Sequence, residues 1–538
     1  MIRIVKATRS DCNSGVQSTV PLLRFRSMTR TIEWLCIPQT IVLIVWSWTV
    51  SVSAQIVPDS SLPVESRIVP NGSILSIDGG TTAGTNLFHS FSEFSVPTGT
   101  EAAFNNALTI DNIITRVTGG NISKIDGLIR ANGSANLFLL NPNGIVFGEN
   151  AQLAIGGSFF GSTAESLRFA DGFEFSSVAP EANPILTVSV PVGLQMGDNP
   201  GAIVNRSQAT TLNPLPSNSP LPANRGLEVA PGRTLALIGG NIALENGNLT
   251  ALQGEIQLAS FASSGLVTFS VTPTRIALDD SNIDRFGNID ISGASTLNVT
   301  GLGSGAIGLH GGEINIRDDA NLLAVTLGNI DGRGIEITGD RFRMQDSVLV
   351  STIAFGAGNA GDVTIRTAES VELSGLGFPA LQELLFRRVL MGFDLNTLDF
   401  GIFTNAQGGG KAGTLSMATG SLTMNEGALI GSSTNGSAPG GDIILQAETM
   451  ALEEAVVASA TLVGSTGNAG DIVIEVGDIK LVDGGYITAS SLGSGASGDI
   501  IVRADTVEAR GLPPGTLTGF STNSASNRVL SSNRAGNI

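Results

Sequence analysis

Cysteine and tryptophan are missing from the whole chain beyond residue 54. The two cysteines are Cys12 and Cys36, and the three tryptophans are Trp34, Trp46 and Trp48. A chain without cysteine cannot be held by a disulfide while it crosses an oxidising compartment, so this usage fits a protein that traverses a periplasm before it folds. Chance in a cysteine-poor sequence explains the same pattern equally well.

Basic charge is also scarce. The 538 residues include 29 Lys/Arg and 47 Asp/Glu. Residues 1–54 hold six of the basic and two of the acidic groups, which leaves a net charge of −22 on the remainder. We expect no nucleic-acid partner, because binding nucleic acid requires a positive face.

Aromatic residues (5%) and charged residues (14%) are few, whereas glycine reaches 68 residues. Val, Ile, Leu, Thr and Asn supply most of the rest, which suits short strands joined by tight turns and leaves little room for long helices. A chain of 538 residues is too long for one ordinary domain unless it is a stack of repeats. The composition favours such a stack.

An apolar run, IPQTIVLIVWSWTV, occupies residues 37–50, with arginines before it and small residues after it. This is the pattern of a secretory signal, and it predicts a signal region over 1–54 that is cleaved between Ala54 and Gln55. The 14-residue run is shorter than the roughly 20 residues of a membrane span, so we expect no stable span in the mature chain; a retained anchor is the alternative.

Met28 directly precedes the signal and is the predicted start of translation. Cys36 lacks the small residues that precede a lipidated cysteine, so we expect no lipid anchor.

Turn signals punctuate the sequence from residue 55 to about 270. Asn-Gly, Asp-Gly and Gly-Gly pairs recur there every 6 to 20 residues, which argues against helices. In the segment 235–260, LALIGGNIALENGNLTALQGEIQLAS, apolar residues alternate with polar or small ones. Each predicted strand is just long enough to form one side of a coil.

An internal repeat occupies the predicted second region, residues 271–538. Its clearest copies are GNAGDVTIRT (358–367), GGDIILQAET (440–449), GNAGDIVIEV (467–476) and SGDIIVRADT (497–506). Weaker copies begin at Gly287, Gly312, Gly334 and Gly413, so that the spacing is 22 to 29 residues apart from one long interval. A repeat of this length built from strands predicts a parallel β-helix. Glycine would occupy a corner without room for a side chain, and the following Asp would bond the turn backbone. Calcium binding is the alternative role for these aspartates, but the nine-residue calcium-binding motif is absent.

The long interval contains an insertion of different character, residues 378–400. An amphipathic helix on the solenoid, or a contact point for a partner, is indicated by the helical spacing of Leu381, Leu384, Leu385 and Val389.

At the C-terminus, NRAGNI (533–538) aligns with residues 467–472. The chain thus stops as another repeat begins, and we predict that the sequence is truncated or is a fragment of a longer protein.

Residues 131–172, ANGSANLFLLNPNGIVFGENAQLAIGGSFFGSTAESLRFADG, closely resemble the secretion domain of filamentous-haemagglutinin-type exoproteins of two-partner secretion systems. The hallmark is the pentapeptide Asn141, Pro142, Asn143, Gly144, Ile145, and a second similar segment is Asn86, Leu87, Phe88, His89, Ser90, Phe91. The resemblance covers about 55–270. It implies an all-β fold, a right-handed parallel β-helix with a small capping or extra-helical hairpin region at its N-terminus. It also implies an outer-membrane transporter as partner, which recognises the domain in the periplasm and threads the chain outward to the cell surface or the medium.

Two interpretations of the pentapeptide remain open. Asn-Pro fixes an extended-then-turn backbone and Asn-Gly supplies a positive-φ step, so the motif specifies one tight turn. It is either a recognition element for the transporter or a requirement for folding alone.

An enzyme is the main rival, because β-helices also serve as polysaccharide lyases and hydrolases. The sequence offers no recognisable catalytic set: its histidines are His89 and His310, its tyrosine is Tyr486, and paired Cys/His ligands are missing. We therefore expect no enzyme, no cofactor and no metal. The repeats are predicted to act as an adhesin for surface glycans or other cells, or as a structural surface scaffold.

Overall fold

The computed structural model describes residues 56–210, 226–271, 276–391, 400–511 and 517–524. The predicted signal region with Met28, the cleavage site at Ala54 and Gln55, and residues 533–538 lie outside these ranges. Within them, the chain forms strands and one helix, which confirms the all-β prediction.

Four short strands precede the first coil: β1 (Ile56–Pro58), β2 (Ser66–Asn71), β3 (Ile74–Gly79) and β4 (Thr81–Ala83). Strands β2 and β3 form an antiparallel hairpin, and β1 and β4 both pair antiparallel with the first long strand, Asn86–Phe94. They cover a strand edge that would otherwise present unpaired N–H and C=O groups. This is the predicted N-terminal capping region.

The first coils follow, each built from short strands on successive sides. They are β5 (Asn86–Phe94), β6 (Glu101–Phe104), β7 (Asn112–Val117), β8 (Ser123–Ile125), β9 (Leu128–Ala131), β10 (Asn136–Leu140), β11 (Ile145–Phe147), β12 (Gln152–Ala154) and β13 (Phe159–Ser162).

The middle of the chain alternates between coil strands and strands that leave the coil. In chain order they are β14 (Ser166–Phe169), β15 (Glu174–Ser176), β16 (Pro191–Met196), β17 (Ile203–Asn205), β18 (Leu227–Glu228), β19 (Thr234–Gly239), β20 (Ile242–Glu245), β21 (Leu249–Thr250), β22 (Glu255–Ser260), β23 (Gly265–Val271), β24 (Ile276–Asp279), β25 (Ile289–Ser292) and β26 (Thr296–Asn298).

In the C-terminal half, each coil consists of one long and one six-residue strand. The elements are β27 (Ala306–Ile316), β28 (Asn321–Thr326), β29 (Gly334–Met344), β30 (Leu349–Ala354), β31 (Val363–Ser374), α1 (Phe378–Met391), β32 (Gly401–Ala406), β33 (Leu415–Asn425), β34 (Leu429–Thr434), β35 (Ile443–Glu453), β36 (Val456–Thr461), β37 (Ile472–Val482), β38 (Tyr486–Ser491), β39 (Ile500–Arg510) and β40 (Gly519–Ser524).

Parallel pairing stacks these strands into a three-sided β-helix. The first face runs through β5, β7, β10, β13, β19 and β22 into the first halves of the long strands from β27 onward. The second face runs through β8, β11, β17, β20 and β25 into the second halves of those strands. The six-residue strands β28 to β40 form the third face.

One continuous apolar core fills the interior of the coils. Its side chains stack in register along the axis, as in the row Leu87, Ile113, Leu137, Phe159, Leu235, Ile256, Ile307, Ile335. Burying each large apolar side chain contributes about 1.5–3 kcal/mol relative to exposure. The apolar alternation along each strand therefore selects the coil over any flat sheet.

A second apolar core lies outside the coil. Strands β15, β14, β16, β23 and β24 form an antiparallel outer sheet, and its apolar side chains pack with outward residues of the first face. Phe138 and Phe160 stack with ring centroids 4.5 Å apart, and Phe160 stacks on Phe269 at 6.2 Å. The first face is thus buried on both sides here, as a continuous apolar strand such as Leu137–Leu140 requires.

Glycine and aspartate form a ladder at one corner of the later coils. A Cβ on Gly470 would lie 2.1 Å from the carbonyl oxygen of Gly441, and one on Gly498 would lie 2.0 Å from that of Gly470. The Asp442 and Asp471 carboxylates accept the backbone N–H of Asp471 and Asp499, each at 2.8 Å. The glycines are therefore required by close packing between coils, and the aspartates bond the coil above rather than their own turn.

Two of the weaker repeat copies have a different register from the predicted one. Ile289, after Gly287, stacks on Ile314, after Gly312, and Ile314 stacks on Phe342. Both copies therefore lie on the second face, whereas Gly334 stacks on Ala306 on the first. The two faces carry similar alternating patterns, and the pattern alone does not distinguish them.

The helix α1 covers part of the third face. Leu381 and Leu384 are buried against outward side chains of the six-residue strands, namely Leu323, Leu349, Phe403, Leu429 and Val456. Phe386, on the other side of the helix, is 66% exposed. Among the described residues, no helix has the length and apolarity needed to cross a membrane.

Candidate functional site

The pentapeptide 141–145 forms the corner between β10 and β11. The Asn141 side chain is fully buried, and its amide nitrogen donates to the Asn121 carbonyl and to Ser123 Oγ, both at 3.0 Å. Its Oδ1 accepts the backbone N–H of Asn143 at 3.0 Å, which closes an Asx turn. Asn141 thus bonds both its own turn and the coil beneath it.

Gly144 and Ile145 complete the corner. Gly144 has φ +130°, and a Cβ there would lie 2.6 Å from the Ile122 side chain, so only glycine fits. The Gly144 carbonyl accepts the N–H of Ser123 at 3.0 Å, and the Ile145 N–H donates to Ala202 at 3.1 Å. The corner is therefore bonded to the coils on both sides of it.

Pro142 and Asn143 are the members of the pentapeptide that reach the surface. Pro142 is half-buried and Asn143 is exposed. The amide nitrogen of Asn143 donates to the Gly119 carbonyl at 2.7 Å and to Asn141 Oδ1 at 3.0 Å. Asn143 therefore helps to hold the corner while presenting part of its side chain to solvent.

The second segment, 86–91, is the first strand of the first face, and all six side chains are buried. Leu87, His89 and Phe91 point into the coil, and Phe88 points outward among the phenylalanines of the second core. The ring of Phe88 lies 5.1 Å from that of Phe175 on the outer sheet. This strand therefore joins the coil core to the outer sheet.

An asparagine ladder begins at Asn86. Its Oδ1 accepts from the Asn112 amide at 2.9 Å, and Asn112 Oδ1 accepts from the Asn136 amide at 3.0 Å. The Asn86 amide nitrogen donates to the carbonyls of Thr187 at 3.2 Å and Ser189 at 2.7 Å. The ladder ties three coils to the loop that precedes β16.

His89 lies inside the first coil and is 1% exposed. Its Nδ1 lies 2.9 Å from Ser66 Oγ on β2, and its ring stacks on Phe91 with centroids 6.0 Å apart. Burial lowers the pKa of His89 to about 3, so the ring is neutral at physiological pH. A neutral, packed histidine fixes the cap to the coil.

Sequence reasoning missed a buried polar network around Arg116. Its guanidinium donates to Ser90 Oγ at 2.9 Å, to the Ser176 carbonyl at 2.7 Å and to Ser61 Oγ at 2.8 Å. It also lies 4.1 Å above the ring of Phe175. Burial lowers the pKa of Arg116 to about 10, and the charge of Asp59 opposes that shift. The signal in the sequence is an arginine inside the apolar strand NIITRV.

Asp59 anchors the same network from the capping segment. Its carboxylate accepts hydrogen bonds from the hydroxyls of Ser61 at 2.6 Å, Thr118 at 2.6 Å and Ser90 at 2.7 Å. Burial would raise the pKa of Asp59, but these hydrogen bonds outweigh it and hold the pKa below its usual value. The network connects the cap, two coils and the outer sheet.

The two predicted motifs share one sheet without touching. Leu140, which precedes the pentapeptide, stacks on Arg116, and Arg116 stacks on Ser90. With one strand between them, the two segments lie roughly 10 Å apart. No group of three His, Cys, Asp or Glu side chains within the described ranges is placed to hold a metal ion.

The N-terminal part of the chain is similar to a known protein family. The family model that matches is described as "TPS secretion domain" and covers residues 54–316. The predicted boundary at residue 270 lies within this segment, in strand β23. A heme/hemopexin-binding protein of Haemophilus influenzae is 31% identical over 128 residues, which is 22% of this chain and 13% of that protein. This chain thus matches only a small part of that relative's length.

Two solved structures resemble the chain. The secretion domain of HMW1 from Haemophilus influenzae is 16% identical, with a TM-score of 0.40, and covers 83% of this chain and 96% of its own. The filamentous hemagglutinin secretion domain is 15% identical, with a TM-score of 0.28, and covers 60% of this chain and 93% of its own.

The β-helix with its N-terminal cap and outer sheet, together with the family match, defines the class of this protein as a secreted exoprotein. Residues 54–316 match the TPS secretion-domain family, so this segment is the secretion domain of a two-partner secretion exoprotein, a class that is secreted to the cell surface through the outer membrane.

Proposed function

We propose that an outer-membrane transporter reads the corner 141–145 during export, and that Pro142 and Asn143 are the residues it contacts. The observation that carries the proposal is the different exposure of the five corner residues. Asn141, Gly144 and Ile145 are buried and bonded to neighbouring coils, whereas Pro142 and Asn143 reach the surface. A corner built this firmly holds two surface residues in one defined geometry, which is what specific recognition needs.

The two roles of the motif can be separated by mutation. Pro142→Ala leaves every hydrogen bond of the corner in place, because the Pro142 carbonyl still accepts the N–H of Gly201 at 2.9 Å. Asn141→Ala removes the bonds to Asn121 and Ser123 and should unfold the corner. Asn150→Ala is the matched control, since Asn150 is an exposed corner asparagine whose side-chain amide also donates to a neighbouring coil, to Asp126 Oδ2 at 3.2 Å.

The test is release of the full chain into the medium by cells with and without the candidate transporter. We expect release only with the transporter, a fall of about tenfold for Pro142→Ala and Asn143→Ala, as expected from the loss of one good contact, and no change for Asn150→Ala. Melting temperatures of the purified variants separate recognition from folding. If Pro142→Ala and Asn143→Ala both fold and are released at the wild-type level, the motif serves the fold alone. Release without any transporter would contradict the export proposal.

For the coils of the repeat region, residues 271–538, we propose an adhesive role at the cell surface. Their outward faces carry polar and charged rows, such as Thr449, Asp478 and Thr506, which are exposed and stack in register. Such rows offer many hydrogen bonds to a ligand without catalysis. The proposal is non-enzymatic, and the family matched over residues 54–316 is described as a secretion domain, not as an enzyme. Binding of the purified chain to other cells tests it, and a purely structural scaffold would show self-association instead.

A further inference from the structure

A groove of about 620 Å³ lies on the first face where the outer sheet ends. Strand β24 of the outer sheet forms one wall with Ala277 and Leu278, and the bare coils β27, β29 and β31 continue beyond it. The volume falls within the usual range for small-ligand sites, about 300–1,000 Å³. No motif in the sequence indicated this groove.

Small residues form the floor of the groove. Ala306 on β27 and Gly334 on β29 are neighbours in register. At Gly308 the Gln257 side chain lies across the backbone, since a Cβ there would lie 2.1 Å from Gln257 Oε1. The result is a trough with a floor of small residues and the Gln257 amide, and Glu336 follows on the next coil.

The walls carry a mixed set of hydrogen-bonding groups. Glu336 and Arg366 form an ion pair at 2.8 Å, with side chains 34% and 59% exposed. His310 Nε2 lies 2.7 Å from Asp280 Oδ2 beside the groove. Three carboxylates and two guanidinium groups line the site, so its charge is close to balanced with a small acidic excess.

We infer that this groove binds a neutral oligosaccharide. The floor of small residues and the Gln257 amide accepts a sugar ring, the carboxylate, amide and guanidinium groups match its hydroxyls, and Ala277 offers apolar contact to its C–H face. An acidic polysaccharide is disfavoured by the carboxylates and by the chain's formal net charge of −18. An extended peptide could not add to the sheet here, because β27 is already paired with β22 and β29.

The inference rests on the proposed adhesive role and names its ligand class. The variants are Thr364→Trp, which fills the groove from an outward position on a strand, and Arg366→Ala, which breaks the ion pair with Glu336. Arg503→Ala is the matched control. Arg503 lies on the same face in the same row, pairs with Glu475 at 2.7 Å and has a side chain 66% exposed, but it lies outside the groove.

The experiment measures binding of the secreted full chain to maltotetraose, cellotetraose and chitotetraose, with tetragalacturonate as the acidic probe. We expect binding to at least one neutral probe, weakened about tenfold or more by Thr364→Trp and Arg366→Ala and unchanged by Arg503→Ala. Three results would overturn the inference: no binding of any neutral probe, groove variants that bind as tightly as the wild-type chain, or tighter binding of tetragalacturonate than of the neutral probes.

Export and cell binding are measured on the same variants. Cell binding that survives both groove variants would leave the adhesive role standing and remove the groove from it. Absence of cell binding by the wild-type chain would count against the adhesive role itself.

Discussion

The side-chain amides of Asn86 and Asn112 are hydrogen-bonded to each other at 2.9 Å, and this contact joins the first two coils of the β-helix. Because Asn112 bonds Asn136 in turn, a single residue in the middle of the ladder satisfies partners on both sides. The first face is thus held by side chains as well as by its backbone ladder.

Removing the middle rung should destabilise the N-terminal coils. Asn112→Ala leaves Asn86 Oδ1 and the Asn136 amide without this partner, and we expect a loss of about 1–3 kcal/mol. Urea denaturation and hydrogen exchange of peptides from β5 and β10 measure it. Asn121→Ala is the control, since its amide bonds Glu93 at 2.7 Å on the exposed surface and should change stability by less than about 0.5 kcal/mol. Equal losses for the two variants would contradict a special role for the ladder.

Acid should weaken the fold through His89. Its pKa is about 3 when folded and 6.5 when unfolded, so the unfolded chain takes up the proton first as the pH falls. The contribution of His89 to the free energy of unfolding is fully present above about pH 6.5 and is lost toward pH 3, with about 2 kcal/mol lost at pH 5. Asp59 has a lowered pKa and loses its contribution only below its ordinary value of 3.8, outside the window from pH 7 to 5. A His89→Gln variant should have a flatter profile in that window; an unchanged slope would show that another group is responsible.

Arg116 should be among the most sensitive positions of the secretion domain. Arg116→Met removes the guanidinium donor from Ser61, Ser90 and the Ser176 carbonyl and leaves Asp59 without a nearby positive charge, which should cost about 3–5 kcal/mol. Arg67→Ala is the control, because the exposed Arg67 side chain pairs with Asp78 at 3.6 Å, a surface contact that should contribute less than about 1 kcal/mol. The midpoint of urea unfolding reports both. A small effect for Arg116→Met would mean that the network is replaceable by apolar packing.

The glycine corner predicts a contrast between two substitutions to alanine. At Gly470 a Cβ would lie 2.1 Å from the Gly441 carbonyl oxygen, so Gly470→Ala must separate two coils and should cost about 1–3 kcal/mol. At Gly409 the nearest atom would lie 3.8 Å away, and Gly409→Ala should be neutral or slightly stabilising. Thermal unfolding and the yield of secreted protein check the pair. Equal tolerance at both positions would mean that coil spacing adapts freely.

Much of the fold could be predicted because its signals are local. Alternating apolar residues and Gly-Asp steps indicate strands and corners, and a helix was indicated by the spacing of Leu381 and Leu384. The register of Gly287 and Gly312 could not be read in this way, because first-face and second-face strands have the same period. The outer sheet was not predicted either, since its strands pair antiparallel across long stretches of chain.

The sequence by itself determined the solenoid, its corners and the turn at 141–145, because each depends on residues that are close in the chain. Only the tertiary structure decided which members of that turn face solvent, that Arg116 lies in a buried network, and that small residues on β27 and β29 form the floor of a groove. Those features arise where coils about 5 Å apart bring together residues distant in sequence, and a local pattern contains no information about what stacks above or below it.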